Sequence, residues 1–303
     1  AAPVILVALA IAVSVAAGVI ADRRYGHRAQ RATRRLMDVL LWAVLPPIAF
    51  FVVARLELDA GVGVGLVLAY VELALVGALA WLLCARVLRL GPVVTGTVIV
   101  TVILANTGYL GIPLCAALLG EEAIAPAIAF DTAVSGVVLY TAGFAVGAAF
   151  GTTAGEGARE RLRAFLTRNP VLLAVVLALI APDALAPELL VDIAEAAAFS
   201  LLPVGFFILG VNLTEEGELP GLDRPIAAVL GLRLVVTPAL MLALSSLVVR
   251  VPDAYLVQAA MPTGINSLIV AHVYGLDLRL TAGAIAWTTA TVVAVAVAAG
   301  LVV

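Results

Sequence analysis

Apolar runs long enough to cross a lipid bilayer recur along the chain. A transmembrane helix needs about 20 predominantly apolar residues. Runs of this kind, separated by charged or Pro/Gly-rich breaks, predict ten spans, which we number in chain order. They lie near residues 3–20, 36–54, 62–85, 95–118, 126–149, 170–187, 190–212, 225–248, 254–273 and 281–302. The pattern therefore predicts an all-α membrane protein with ten transmembrane helices.

The composition excludes a soluble globular domain. Hydrophobic residues make up 64% of the chain and charged residues 12%, whereas soluble domains are roughly 45–50% apolar and about 25% charged. The net charge of −3 gives no indication of a nucleic-acid partner. The two cysteines both lie in apolar runs, which excludes a disulfide framework. Membrane lipids are thus the expected surroundings.

The distribution of arginine predicts the orientation, because positively charged loops are retained on the cytoplasmic side. With the amino terminus outside, the predicted inner loops hold fourteen arginines. The outer loops hold only Arg55 and Arg250, and Arg233 falls within a span. Both termini are therefore predicted to lie outside the cell.

A weak internal repeat divides the chain into two halves. Matching residues at a constant offset of 157 are Leu45, Pro46 and Phe50 in span two and Leu202, Pro203 and Phe207 in span seven. Halves of five spans, 1–150 and 170–303, must run in opposite directions because five is odd, and a short cytoplasmic linker, 151–169, joins them. Inverted repeats are typical of secondary transporters, whose sites lie near the midplane at interrupted helices. The alternative is a chance match between common membrane residues.

Two spans in equivalent places of the halves carry helix-breaking residues. Span four contains NTGYLGIP (106–113), and span nine contains MPTGINS (261–267). Because Pro removes a backbone donor and Gly tolerates unusual dihedrals, both segments are predicted to unwind. Unwound backbone at membrane depth must be buried in protein or face a watery cavity. The amino-terminal ends of the following half-helices would favour an anion such as a carboxylate; the alternative is a pair of packed Pro kinks.

These segments supply the candidate substrate-binding residues. They are Asn106, Thr107, Gly108, Tyr109, Gly111, Pro113, Pro262, Thr263, Gly264, Asn266 and Ser267. In this interpretation the asparagines offer side-chain amides, the glycines allow close approach of backbone amides, and the prolines maintain the breaks.

Three ionisable residues within spans are candidates for ion or proton coupling, because charges are costly in a bilayer. Glu72 and Arg233 both fall near the midplane at a rise of about 1.5 Å per residue, so they could pair. The alternatives are a fixed structural ion pair or an Arg233 that snorkels to the cytosolic face. Asp131 could bind a cation or a proton together with nearby hydroxyls, or it could be a solvated rim residue. No cofactor is predicted, and coupling to H⁺ or Na⁺ is left open.

At the interrupted segments the sequence resembles a known family. NTGYLGIPLCAALLG (106–120) looks like the fourth-helix motif of the auxin efflux carrier family, which includes plant PIN-type carriers and short bacterial members. MPTGINSLIVAHVYG (261–275) resembles the ninth-helix motif of the bacterial branch. Asn169-Pro170 and LLPVGFFILGVNL (201–213) are similar to further landmarks of the family.

The resemblance implies a ten-helix fold of two inverted five-helix repeats with broken crossover helices four and nine, related to bile acid carriers and sodium/proton antiporters. Helices one, two, six and seven would form a scaffold that often dimerises, and helices three to five and eight to ten a mobile transport domain. Family members move organic anions, including auxin and dicarboxylates. The expected location is a bacterial cytoplasmic (inner) membrane.

We therefore predict a transporter, secondary active or facilitative, for small organic anions such as indole acids or dicarboxylates. It would work by elevator-type alternating access, as a homodimer. The first alternative is a cation/proton antiporter on the same fold with Glu72 and Asp131 as ion ligands. The second is a ligand sensor that does not transport. An enzyme is not predicted, because no nucleophile, base and metal set can be assembled.

Overall fold

A computed structural model describes residues 2–54, 60–155, 157–213 and 221–302. Within these ranges the chain is all helical, and its one extended pairing is an isolated bridge between Ala105 and Thr263. Arg55, which enters the orientation argument, lies outside the described residues.

Sixteen α-helices are described in these ranges, and several are joined end to end by short π-helical segments. The α-helices are α1 (Ala2–Tyr25), α2 (His27–Val39), α3 (Leu45–Ala54), α4 (Ala60–Trp81), α5 (Pro92–Ile103), α6 (Ile112–Leu119), α7 (Ile124–Phe130), α8 (Phe144–Phe150), α9 (Ala158–Thr167), α10 (Pro170–Ile180), α11 (Glu188–Leu213), α12 (Arg224–Gly231), α13 (Thr237–Leu247), α14 (Asp253–Ala259), α15 (Ser267–Tyr274) and α16 (Leu278–Val302). The π-helical segments are Leu40–Val44, Leu82–Val87, Thr107–Gly111, Asp131–Gly136, Leu139–Gly143 and Leu232–Val236, and 3₁₀ turns lie at Glu121–Ala123 and Asp183–Leu185.

The described residues contain six helices that are long and apolar enough to cross a membrane. They are His27–Ala54, Gly63–Val87, Glu121–Phe150, Glu188–Leu213, Arg224–Leu247 and Leu278–Ala296. A seventh results if Arg159–Thr167 and Pro170–Ile180, bent by 66°, form one span. The all-helical membrane architecture is thus confirmed. The count of ten spans stays a prediction, because predicted span one is not among these helices, span six belongs to the bent pair, and spans four and nine consist of short helices on either side of a break.

The outer surfaces of the helices are apolar. Leu179, Ile180 and Leu247 are 70%, 75% and 82% exposed. Side chains of this kind would form a large apolar patch in a soluble protein. Here they provide the surface that lipid requires, since backbone polar groups are bonded within the helices.

Helices α1, α3, α10 and α11 pack against one another. The backbones of α1 and α11 come closest at Gly18 and Gly210. A Cβ built on Gly18 would lie 2.9 Å from Cα of Gly210, and one built on Gly210 would lie 3.0 Å from Cα of Gly18. Small residues allow this approach, which membrane helices use because water does not drive them together.

Gly18→Ala is expected to destabilise the protein, because the added methyl group would also lie 2.9 Å from the backbone nitrogen of Val211. Overpacking of this kind costs about 1–3 kcal/mol, measured as the free energy of unfolding in detergent. Gly231→Ala is the matched control, since nothing lies within 4 Å of its Cβ position. Equal stability of the two variants would contradict the close packing of α1 and α11.

Candidate functional site

Two helices are interrupted where the sequence predicts unwinding. In the first, α5 ends at Ile103, Leu104 has extended backbone (φ −96°, ψ 109°), and helix resumes at Thr107. In the second, α14 ends at Ala259 and α15 begins at Ser267. Both interruptions leave backbone N–H and C=O groups without helical partners.

The two interruptions pair with each other. The N–H of Asn106 donates to the carbonyl of Pro262 at 2.8 Å, and the N–H of Gly264 donates to the carbonyl of Leu104 at 2.8 Å. Away from water each unpaired backbone group costs several kcal/mol. The reciprocal hydrogen bonds therefore stabilise two breaks that neither helix could sustain alone.

Thr263 anchors this pairing. Its hydroxyl donates to the carbonyl of Thr101 at 2.8 Å, and its N–H donates to the hydroxyl of Thr288 at 3.1 Å. Next to it, a Cβ on Gly264 would lie 2.7 Å from the carbonyl oxygen of Ala105. A side chain at Gly264 would thus separate the two segments.

Arg233 binds the carbonyl ends of both interrupted helices. Its Nε donates to Met261 at 2.8 Å, Nη1 to Val102 at 3.0 Å and Nη2 to Ala259 at 2.8 Å, all to backbone oxygens. These oxygens lie at or just beyond the carboxyl-terminal ends of α5 and α14, where carbonyls lack helical partners and carry partial negative charge. Arg233 is 1% exposed, so its charge is balanced there by protein alone.

The direct pair between Glu72 and Arg233 that the sequence suggests is not formed. Nε2 of His272 and Oδ1 of Asp38 lie 2.8 Å apart and form an ion pair when the histidine is protonated, but Glu72 and Arg233 do not come that close. Glu72 is buried close enough to Arg233 for an electrostatic interaction, but its Oε1 has no hydrogen-bond partner. Three of the five N–H donors of the guanidinium bind backbone carbonyls instead. Arg233 therefore neither snorkels nor forms a direct ion pair with Glu72.

A cavity of about 230 Å³ lies beside the first residues that follow the breaks. The predicted site residues that line it are Asn106, Thr107, Gly108, Tyr109, Asp131, Gly264 and Asn266. Those that do not line it are Gly111, Pro113, Pro262, Thr263, Ser267, Glu72 and Arg233. The structure thus brings together about half of the predicted set.

Several residues outside the cavity have packing positions instead. A Cβ on Gly111 would lie 3.0 Å from Cγ of Met261 and would collide with the side-chain oxygen of Gln258, so this glycine permits contact with α14. Pro113 lies in the first turn of α6, after the break rather than within it. Ser267 is fully buried at the start of α15, with a hydroxyl that has no partner.

The polar side chains of the cavity include an amide without a partner and a carboxyl group. Asn106 is 3% exposed, and its side-chain Nδ2 has no hydrogen-bond partner. The Thr107 hydroxyl donates to Oδ1 of Asp131. Of the described residues that line this cavity, Asp131 is the only charged one. The cavity therefore offers an unused amide donor, Nδ2 of Asn106, together with a single carboxyl group.

The cavity lies on one side of the paired breaks, and the other side is nearly closed. Leu45, Ala49 and Val53, from α3, line the cavity. On the closed side, Nε2 of His272 lies 2.8 Å from Oδ1 of Asp38, and the space left is about 20 Å³. The larger space beside the breaks is therefore the one that α3 borders.

Three site features were not predicted from the sequence. Gln258 is fully buried in the last turn of α14, and its Nε2 donates to the carbonyl of Ala127 at 3.1 Å. Tyr140 lines the cavity, and its backbone carbonyl accepts a hydrogen bond from Nδ2 of Asn169 at 2.5 Å. The Asp38 pair with His272 is the third. Gln258 could have been found from the sequence, because it is a polar residue in an apolar span. The other two features depend on contacts between distant segments and leave no pattern in the sequence.

Metal-ligand geometry is not found: the described ranges contain no group of three or more His, Cys, Asp or Glu side chains that could hold a metal ion.

Comparison with known families gives one match. A family model described as "Membrane transport protein" matches residues 4–155 and 165–298, which is nearly the whole chain. No curated protein matches the chain.

Arg233→Met is expected to lower the stability of the protein strongly, because it leaves three buried carbonyls unpaired and Glu72 without a nearby positive charge. Removing one partner of a buried charge interaction costs about 3–5 kcal/mol. The double variant Arg233→Met/Glu72→Gln should recover part of this loss in the free energy of unfolding, because it also removes the unbalanced carboxylate. Additive effects of the two substitutions would contradict the electrostatic coupling.

Proposed function

This chain belongs to the membrane transport protein family, which includes the auxin efflux carriers and PIN-like proteins, and we propose that it carries small organic anions across the bilayer by alternating access. Membership of the family makes it a membrane transporter. One observation carries the proposal for anions: a cavity at the paired breaks holds a buried, unused amide donor.

The polarity of the paired breaks supports an anionic substrate. The carboxyl-terminal ends of α5 and α14 are negative, and Arg233 binds their carbonyls away from the cavity. At the second break the N–H groups of Ser267, Leu268 and Ile269 already donate to the carbonyls of Gly264, Ile265 and Asn266. The helical segment that begins at Thr107 starts beside the cavity, and the first N–H groups of a helical segment carry partial positive charge. A carboxylate could accept from these groups and from the side-chain amides of Asn106 and Asn266.

The lining favours a monocarboxylate with an apolar body over a dicarboxylate. Aliphatic side chains form much of the wall, among them Ile48, Val52, Ile128 and Val175. A second carboxylate would find no basic side chain among the described lining residues, and Asp131 would repel it. Indole acids fit these conditions better than malate-like acids do.

The asymmetry of the site supports alternating access. In the orientation given by the arginines, the cavity faces outward and the pair between Asp38 and His272 closes the cytoplasmic side. The packed group α1, α3, α10 and α11 would be the scaffold, formed from spans one, two, six and seven. The interrupted helices and their neighbours would move against it as the transport domain, within a fold of two inverted five-helix repeats. Dimer formation through the scaffold, in a bacterial inner membrane, is carried over from the family resemblance.

The structure of the paired breaks gives weaker support to the alternative of a cation antiporter. The carbonyls of Val102, Ala259 and Met261 would be natural ligands for Na⁺, but they already accept hydrogen bonds from Arg233. Glu72, the second proposed ion ligand, lies outside the cavity.

Asn106→Leu is expected to abolish uptake of indole-3-acetate into proteoliposomes while the folded fraction stays unchanged, because Nδ2 makes no hydrogen bond that folding would lose. Asn212→Leu is the matched control. Within the described part of the chain, the Asn212 amide bonds inside its own helix, to the carbonyl of Ile208, and Asn212 does not line the cavity, so this variant should keep its transport. Normal uptake by Asn106→Leu would remove Asn106 from the substrate site.

In the double variant Asp38→Cys/His272→Cys, a short bifunctional reagent that attaches to the two thiols through disulfides is expected to block transport, and reduction of those disulfides should restore it. The reason is that the linker would hold α2 to α15 in the closed arrangement. Each single-cysteine variant serves as a control, and the native Cys84 and Cys115 are both buried. Full transport by the cross-linked protein would contradict the movement of α15 against α2.

A further inference from the structure

The cavity that we propose as an anion site is also lined by a carboxyl group, that of Asp131. Asp131 accepts a hydrogen bond from Thr107, the residue after Asn106. A Cβ on Gly108 would lie 3.1 Å from Oδ2 of Asp131, so the backbone of the first turn lies directly against the carboxyl. An anion bound at Asn106 would therefore be a close neighbour of Asp131, and two like charges in one site disfavour each other.

The described elements that pack against Asp131 carry no basic side chain that could separate these charges. The elements packed against Asp131–Gly136 are α4, α7, Thr107–Gly111 and Leu139–Gly143. Their titratable side chains are Tyr70, Glu72, Tyr109 and Tyr140. Three are phenols, and Glu72 is acidic and interacts with Arg233. The compensating positive charge must therefore arrive from solution.

We propose that Asp131 takes up a proton when the anion binds, so that one proton crosses the membrane with each monocarboxylate. This inference rests on the proposed function. The substrate anion and a proton enter from the same side, and the proton converts the Asp131 carboxylate to a carboxylic acid. On the other side the anion and the proton are released, and Asp131 is ionised again. Net charge movement per cycle is zero.

The contact with Thr107 suits both protonation states. A hydroxyl group can donate one hydrogen bond and accept two. Thr107 donates to Oδ1 of the ionised Asp131, and after rotation it can accept from the protonated form. Because Thr107 follows Asn106 in the chain, the proton site and the anion site share one turn of helix. Each ligand therefore raises the affinity for the other by the same factor.

The test is calorimetric titration of the purified protein with indole-3-acetate, at one pH in buffers of different ionisation enthalpy. The wild type should take up close to one proton per anion bound. Its affinity should fall about tenfold per pH unit wherever Asp131 is ionised in the free protein and protonated in the complex. Asp131→Asn should bind without proton uptake and with an affinity independent of pH. Asp192→Asn changes an exposed aspartate of α11 and should behave as the wild type.

Two results would overturn the proposal while leaving the transporter assignment intact. The first is binding of indole-3-acetate without proton uptake between about pH 5 and 8. The second is binding of phenylalanine but not of 3-phenylpropionate, which would make Asp131 the partner of a cationic group on the substrate. Failure of the wild type to bind any of these carboxylates would instead overturn the proposed function.

Discussion

Backbone groups that are freed inside a bilayer have no water to bond, and this constraint shapes the centre of the protein. Two helices are interrupted, and the N–H of Asn106 and the carbonyl of Pro262 join the breaks. Arg233 satisfies carbonyls from both helices. The breaks are thus stable because each supplies part of what the other lacks, and a guanidinium supplies the rest.

This arrangement separates the two polarities of the broken helices. The carboxyl-terminal ends face Arg233 inside the protein, and Asn106, Thr107 and Asn266, at the starts of the next helical segments, border the cavity. Donors without partners, such as Nδ2 of Asn106, are costly to bury. In our account that cost is offset when a carboxylate binds, which gives the site both its affinity and its preference for anions. Asp131 then sets the condition under which the anion can enter.

The sequence predicts the positions of the breaks well, because Pro, Gly and Asn are rare together within membrane helices. It also predicts the family through the same residues. It cannot predict which of these residues line the cavity: Gly108 and Gly111 are the same residue type, but Gly108 lies against Asp131 and Gly111 lies against Gln258 and Met261. The depth of Glu72 and Arg233 suggested a direct pair, but depth along a helix does not reveal that backbone carbonyls from Val102 and Met261 bind the guanidinium instead.

The central claim is that buried amide donors at the paired breaks hold the substrate's carboxylate. An experimental structure of the protein in lipid with indole-3-acetate bound tests it most directly. Our account predicts a carboxylate oxygen about 3 Å from Nδ2 of Asn106, with the ring against the aliphatic wall of the cavity. Binding of the carboxylate to Arg233, or at a place away from both breaks, would contradict it.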